Sequence, residues 1–308
     1  MQSCASKPQN CANSSRSTSD LMPAKIIDGK KISELILANV RNDVVELKKR
    51  GITPKLVVIQ AGEDPASTIY VNKKHDMCIE LGMESVVKRF PAGIEYETLL
   101  AEIKKLNDER SVHGILVQLP LPEHLRHRQV LETVDPRKDV DGLHPSNHGL
   151  NLLGKEGFVP ATPKGIMELL KSTKVKLGGK NAVVIGRSNI VGKPVALLLL
   201  NAGCSVTVCH SKTKNISDFT KRADIIVCAV GRPKLVKAPM VKKGAIVIDV
   251  GINRLKGGKI VGDFDFKGVA KKAGWITPVP GGVGPMTIAS LMQNTVKACT
   301  ELAQNYSK

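Results

Sequence analysis

The sequence has no apolar run near the roughly 20 residues that a membrane-spanning helix needs. Its longest runs, such as residues 195–200, reach about a third of that length, so a membrane protein is not expected. Aromatic residues make up only 3% of the chain, too few for the stacking platforms of proteins that read RNA or single strands. No zinc-finger spacing and no RNA-reading aromatic motif occurs. Acidic residues are outnumbered, 28 Asp and Glu against 46 Lys and Arg, which leaves a net charge of +18. The lysines are spread over the whole length, so the surplus reads as solvated lysine faces and no nucleic acid is expected as a partner. Cysteine pairing signals are also missing. The seven cysteines are odd in number, scattered, mostly in apolar segments and never in a C-x-x-C pair, as suits free thiols in a reducing compartment. The seven histidines show no metal-ligand spacing, so no metal is expected.

What is present is a chain of 308 residues with 42% hydrophobic content, enough to bury the cores of two domains. Residues 1–21 are rich in Ser, Asn and Gln, carry little charge and show no period. They read as a disordered leader, a cloning remnant or a targeting segment, with Met22 as an alternative start. The leader lacks an apolar h-region, which excludes a secretory signal. Together with the cysteine usage this places the protein in the cytoplasm, while the two basic residues and one acidic residue of the leader remain compatible with organelle import.

From Ile26 onward strand and helix patterns alternate, which predicts an α/β protein built from right-handed crossovers. Apolar residues at helical spacing over 32–47 stop at Gly51, and 55–60 is a β-rich run. Asp64-Pro65 has the form of an N-cap and first helical residue, predicting a helix to about Leu81 with Gly82 as its stop. A helix over 95–106 and a buried strand over 114–118 follow. Thr162-Pro163 again resembles a cap and first-turn pair, for a helix ending near Ser172. A second series then begins: strand 182–185, helix 191–201, and strands 205–209, 225–230 and 245–250. That is a nucleotide-binding layout of mostly parallel, Rossmann type. The last helix, 286–303, is expected to pack back on the first domain. The domains are thus drawn as 22–162 with 284–308, and 163–283.

Between strand and helix of the second series lies Gly186-Arg187-Ser188-Asn189-Ile190-Val191-Gly192, where backbone N–H groups and a helix N-terminus can receive a pyrophosphate. Ser188 and Val191 replace two glycines of G-x-G-x-x-G, so a plain structural turn competes. At the end of the next strand an NAD enzyme usually places an acidic residue for the ribose 2′-hydroxyl. Here the residues are His210-Ser211-Lys212-Thr213, and with Arg187 nearby a 2′-phosphate is favoured, hence NADP. An ordinary polar loop is the alternative.

Tyr70 and Lys74 are four residues apart on the second helix, in a stripe continued by Met77 and Leu81. Burial lowers the pKa of an amine and frees it for proton transfer, whereas a snorkelling lysine has the same spacing. Gln118 closes a strand at the end where open α/β sheets bind ligands, or merely caps a loop. Asp139 and Asp141, if extended, point the same way and suit a guanidine-like heterocycle edge. A turn or cap accounts for such a pair equally well. In the segment 278–285 the glycines let backbone approach a flat ligand, and Pro285 can start the last helix. An interdomain turn is the competing account.

Taken jointly, Tyr70-Val71-Asn72-Lys73-Lys74, Val117-Gln118-Leu119-Pro120-Leu121-Pro122, Lys138-Asp139-Val140-Asp141-Gly142-Leu143, residues 186–194, 210–213 and 280–287 resemble the bifunctional methylenetetrahydrofolate dehydrogenase/cyclohydrolase family. They occur in family order from about Ile26 to the last helix. The resemblance implies oxidation of 5,10-methylenetetrahydrofolate with NADP, then hydrolysis of the methenyl product to 10-formyltetrahydrofolate. It implies Lys74 as the key catalytic residue, positioned by Tyr70 and Gln118, with Asp141 anchoring the pterin. Gly281, Gly282 and Val283 assist Asp141, and Val117, Leu119, Pro280 and Gly284 complete the substrate surface. Gly186, Arg187 and Ser188 would hold the NADP phosphates, Ser211 the 2′-phosphate, and Ile252 the nicotinamide side. Tetrahydrofolate derivatives are the implied partners, and a homodimer the implied assembly. One departure is Ala161, where many relatives carry Cys. A dehydrogenase-only relative and a basic nucleic-acid-binding protein on a Rossmann scaffold are the rival readings.

Overall fold

The computed structural model describes residues 23–306; the leader and Met22 lie outside the described residues. Strand β1 (Lys25–Ile26) leads into α1 (Gly29–Lys49), whose first turn is capped by the Asp28 carboxylate accepting from Lys31 N at 3.1 Å. Then come β2 (Lys55–Ala61), α2 (Pro65–Glu80), β3 (Glu84–Phe90), α3 (Tyr96–Asp108), β4 (Gly114–Val117) and α4 (His127–Thr133). Asp64 caps α2 as predicted, accepting from Ser67 N at 2.7 Å, with Pro65 in the first turn, where a missing N–H is harmless. The strands form a parallel sheet in the order β3-β2-β4. Because side chains alternate along a strand, β2 serves two cores. Leu56 and Val58 pack toward α1 and α2, while Val57 and Ile59 pack toward α3 and α4.

The second half comprises α5 (Pro145–Leu152), α6 (Ala161–Ser172), β5 (Asn181–Ile185), α7 (Gly192–Asn201), β6 (Ser205–Cys209), α8 (Ile216–Thr220), β7 (Ile225–Cys228) and β8 (Ile246–Asp249). A small antiparallel hairpin, β9 (Asn253–Arg254) and β10 (Ile260–Val261), is followed by α9 (Phe266–Ala270), β11 (Trp275–Ile276) and α10 (Val283–Tyr306). The main sheet has six strands in the order β1-β11-β8-β7-β5-β6, every pair parallel. It is the expected Rossmann-type layer, with one addition. Residues 25–26 fall in the first domain as drawn from the sequence, yet β1 pairs with β11 (Lys25 opposite Trp275) and becomes an edge strand of the second sheet.

Other details depart from the sequence pattern for physical reasons. The Thr162-Pro163 pair does not cap α6: the helix starts at Ala161, its cap position is Pro160, and Pro163 sits inside the first turn. Likewise α10 starts at Val283, with Pro285 in its first turn, where it lacks only an N–H that would have no helical partner. The last helix also does more than pack on the first domain. Leu291, Met292, Val296 and Cys299 join the core beneath β2, whereas Val283 and Met286 join the core beneath β5 and β7. Against α6 the approach is so close that a Cβ on Gly165 would lie 2.8 Å from Met286 Cβ. No helix among the described residues is long and apolar enough to cross a membrane. Cys78, Cys204, Cys209, Cys228 and Cys299 are free and buried.

His113 joins the start of β2 to the start of β4. Its Nδ1 accepts Lys55 N at 3.1 Å, its own N–H donates to Lys55 O at 3.0 Å, and the residue is 8% exposed. Burial, with Lys138 and Lys55 nearby, pushes the imidazole down to about 4. The depressed value means that protonation favours the unfolded chain, so stability is lost as pH falls from the ordinary histidine value toward 4. The shift corresponds to about 3 kcal/mol. His113→Asn, which keeps an acceptor for Lys55 N but does not titrate, is expected to flatten the fall in urea-melting stability between pH 6.5 and 4.

Candidate active site

On α2 the buried positions are Ser67, Val71, Lys74 and Cys78, continued by Leu81 just past its end. Lys74 therefore sits within the inward stripe, while Tyr70 and Met77 flank it, which corrects the stripe drawn through Tyr70, Lys74 and Met77. The amine does not snorkel. Lys74 is 8% exposed, and its Nζ donates to Gln118 Oε1 at 2.9 Å. Gln118 is held at the end of β4 by its own N–H donating to Ile59 O at 2.8 Å and its Nε2 donating to Leu119 O at 2.7 Å. Burial pushes the Lys74 amine below the ordinary lysine range, with Asp141 partly opposing. Burial pushes Asp141 above the ordinary carboxylate range, with Lys74 opposing and Asp139 adding to the rise. Both shifts favour uncharged forms. No hydrogen bond joins Tyr70 to Lys74 among the described residues; burial raises the phenol's pKa, Arg254 opposing, and so keeps it neutral.

Asp139 and Asp141 do not act together, because the chain turns between them. Asp139 accepts from Leu143 N, His144 N and Asn147 Nδ2 at 3.1, 2.8 and 2.8 Å, and so clasps the turn. Gly142 has φ +69° at this bend, where a Cβ would lie 2.6 Å from Pro160 N. With the turn fixed, Asp141 alone reaches the cleft.

Asp141, Lys74 and Gln118 line a cavity of about 170 Å³ together with Val117 and Leu119. Its far wall carries Ala161, Thr162 and Thr287, the two threonine hydroxyls lying 2.9 Å apart, and Ile190 and Val191 of the glycine turn close it. Sequence reasoning missed both threonines; they come from helices 125 residues apart, and nothing local pairs them. A neighbouring cavity of about 410 Å³ is lined by Tyr70, Ile252, Pro280, Gly281, Gly282, Val283 and Gly284. Here α1 presses on the glycines. A Cβ on Gly29 would lie 1.9 Å from Gly282 O, and Lys30 N donates to Gly281 O at 3.1 Å.

A third cavity, about 370 Å³, lies at the carboxyl ends of β5, β6 and β7 and is lined by Gly186, Arg187, His210 and Ser211. Gly186, at φ +124°, has no room for a side chain: a Cβ would lie 2.5 Å from Ala229 O. The Ser188 hydroxyl accepts from Val191 N and Gly192 N, both at 3.2 Å, so it closes the turn, and Lys212 does not line the cavity. Arg232 does, although it belongs to no motif legible in the sequence. No carboxylate lines this cavity, so backbone and cations fit a phosphate-bearing ligand. Behind the cavities two buried carboxylates fix the loops. Asp263 accepts from Val230, Gly231 and Arg232 N–H, and Asp249, pushed up to about 6 by burial, accepts from Gly251, Asp263 and Phe264 N–H.

A six-stranded dinucleotide-type sheet facing a second sheet across a cleft that buries an amine defines a two-domain, dinucleotide-dependent α/β enzyme. Residues 27–141 match the catalytic-domain model of tetrahydrofolate dehydrogenase/cyclohydrolase, and 160–303 match the NAD(P)-binding-domain model of the same family. The bifunctional protein FolD of Campylobacter fetus is 56% identical over 281 residues, 91% of this chain and 99% of that protein. The crystal structure of the bifunctional FolD dehydrogenase/cyclohydrolase of Campylobacter jejuni is 52% identical with a TM-score of 0.89, over 90% of this chain and 99% of that one. The Trypanosoma brucei dehydrogenase-cyclohydrolase, crystallised with NADP and an inhibitor, is 38% identical with a TM-score of 0.89, over 92% and 99%. The chain belongs to the bifunctional tetrahydrofolate dehydrogenase/cyclohydrolase family.

The two aspartates should separate in mutagenesis. Asp139→Ala leaves buried donors without partners and is expected to lower the unfolding free energy in urea by about 2–4 kcal/mol. Asp141→Ala should change stability by less than about 1 kcal/mol while weakening substrate binding.

Proposed function

We propose that this chain oxidises 5,10-methylenetetrahydrofolate to the methenyl cation with NADP and hydrolyses that cation to 10-formyltetrahydrofolate in the same cleft. The observation that carries this is the buried Lys74 amine, bonded to Gln118 beside Asp141, in a cavity closed by Ile190 and Val191 of the glycine turn. The folate-binding unit is 22–162 with 284–308 and the cofactor unit 163–283, with β1 and α10 reaching across.

When bound, NADP supplies the acceptor for the hydride that leaves the one-carbon bridge. Arg187 and Ser211 would hold its phosphorylated ribose, and the backbone of Gly186, Arg187 and Ser188 its pyrophosphate. That the Trypanosoma brucei relative was crystallised with NADP supports this assignment. Ile252 would meet the nicotinamide side of the cleft. Tyr70 and the Pro280–Gly284 backbone would sandwich the flat folate, so catalysis of the redox step is mainly a matter of holding two rings in register. The pterin presents a guanidine-like edge; its N–H groups would favour the ionised form of Asp141, which would then accept them as a pair, with Val117 and Leu119 as neighbouring walls.

Hydrolysis adds water to a cation. A protonated amine would repel that substrate, whereas the neutral amine favoured by burial accepts a proton from the water as the new C–O bond forms; the bond from that carbon to N5 then breaks as N5 takes a proton, which leaves the formyl group on N10. One N–H of Lys74 is committed to Gln118, which fixes the direction of the amine. Arginine could not take this role, since it stays protonated.

A homodimer and a cytoplasmic location belong to the same proposal. β6 is an open edge of the large sheet, and Val208 (37%), Leu200 (56%) and Leu153 (67%) are exposed apolar residues on β6, on α7 and after α5. An isologous contact across this edge would cover them.

Loss of methenyl absorbance without NADP tests the hydrolysis directly. Lys74→Met is expected to slow it by about 10²–10⁴-fold and to keep the wild-type melting temperature; wild-type hydrolysis would remove Lys74 from the role. In the native enzyme the rate should rise with pH as the amine deprotonates and level off below the ordinary lysine pKa, because burial lowers that pKa. Initial rates with methylenetetrahydrofolate should give a KM for NADP at least about tenfold below that for NAD, and equal values would return the cofactor choice to NAD.

A further inference from the structure

We propose that Arg232 is a second specificity-determining cation for the phosphate on the cofactor's adenosine ribose, acting beside Arg187; this rests on the NADP assignment above. The strand order places β7 next to β5 and β5 next to β6, so the loops after these three strands meet at one end of the sheet. From them come Arg232, Arg187 and Ser211, all lining the same cavity of about 370 Å³. No carboxylate lines it, and neither guanidinium is in an ion pair among the described residues. Two cations left unpaired around one cavity call for an anion of more than one charge.

The loop that carries Arg232 is held from beneath. Val230 N and Gly231 N donate to Asp263 Oδ2 at 2.8 and 3.1 Å, and Arg232 N donates to Asp263 Oδ1 at 2.8 Å. Asn253 Nδ2 donates to Asp263 Oδ1 as well, at 2.9 Å. The carboxylate is fully buried and occupied by backbone and amide donors. It anchors the Arg232 backbone without neutralising its side chain, and Pro233 fixes the next φ. A ribose phosphate presents three terminal oxygens. One guanidinium fork engages two of them and the Ser211 hydroxyl a third, so a second fork from the opposite loop completes the charge balance of a dianion. A ribose with a free 2′-hydroxyl has nothing to offer it.

The test uses the full-length enzyme and two fragments of the cofactor, adenosine 2′,5′-bisphosphate and 5′-AMP, titrated calorimetrically and without any turnover. Wild-type protein should prefer the bisphosphate, and R232Q should shrink that preference roughly tenfold, with the larger change in the bisphosphate constant. R232K keeps the charge but loses the fork, and should fall between the two. If R232Q does not fold, an unchanged preference in R232K overturns the proposal and a reduced one supports it. A folded R232Q with wild-type preference overturns Arg232 alone and leaves NADP in place. Absence of any preference in the wild type removes the NADP assignment, and Arg232 falls with it.

Discussion

An ammonium group taken out of water loses hydration worth several kcal/mol unless it is paired or gives up its proton. Lys74 faces that constraint on the same stripe as Val71 and Cys78, and the surrounding fold answers it with one neutral acceptor, Gln118, and one carboxyl on the cavity wall, Asp141. The neutral acceptor depends on strand register, because Gln118 reaches Lys74 only while its own N–H is bonded to Ile59 O at the end of β2. The carboxyl depends on a turn, which Asp139 clasps so that Asp141 emerges at the cleft. Two separate pieces of backbone architecture are therefore spent on the protonation state of a single nitrogen. A full ion pair would have fixed the charge; a glutamine and a carboxyl whose own ionisation is disfavoured leave the proton free to move.

The two sheets are tied together by close backbone contact and by hydrogen bonds such as that from Lys164 Nζ to Asn294 Oδ1, with no ion pair between them among the described residues. α10 belongs to both cores, with Met286 under the large sheet and Met292 under the small one, and Thr287 lies on the cleft wall between them. Gly165 against Met286 and Gly29 against Gly282 are approaches that any side chain would block. Such contacts set the width of the cleft to within an atom's radius, since densely packed interiors yield little. The cavity between Tyr70 and the glycine segment, where the proposed function places a flat ligand, therefore inherits its shape from helix packing outside it.

Much of this was legible in the sequence, and what was not shares a cause. The Asp64-Pro65 start of α2, the β-rich run of β2 and the glycine turn at Gly186 announce themselves because local chemistry decides them: a cap, a row of β-branched residues, a glycine between strand and helix. The misreadings arose where tertiary contact decides. Met77 is apolar but faces a cavity, so the stripe on α2 was drawn one position off. Asp139 and Asp141 look equivalent until the turn at Gly142 separates them. Thr162 has the sequence signature of a cap, yet its hydroxyl meets Thr287 from the other end of the chain. β1 is two residues long, too short for any period to show, and finds its place only by pairing with β11. Arg232 follows a strand without any motif, and only the adjacency of β7 to β5 brings it beside Arg187.

The surplus of positive charge and an amine whose pKa is lowered by burial look contradictory in one site, and solvent exposure reconciles them. Arg187 and Arg232 stand at an exposed rim, lining a cavity with no carboxylate, where their forks are open to an anion. Lys74, buried in the cavity that Ile190 and Val191 help to line, is driven the other way by the loss of its hydration. The depth of burial alone thus assigns opposite electrostatic tasks to basic residues set around one glycine turn. In the proposed function a phosphate is attracted at one end, where no carboxylate lines the cavity, while a cationic folate is tolerated at the other, where Asp141 stands beside Lys74.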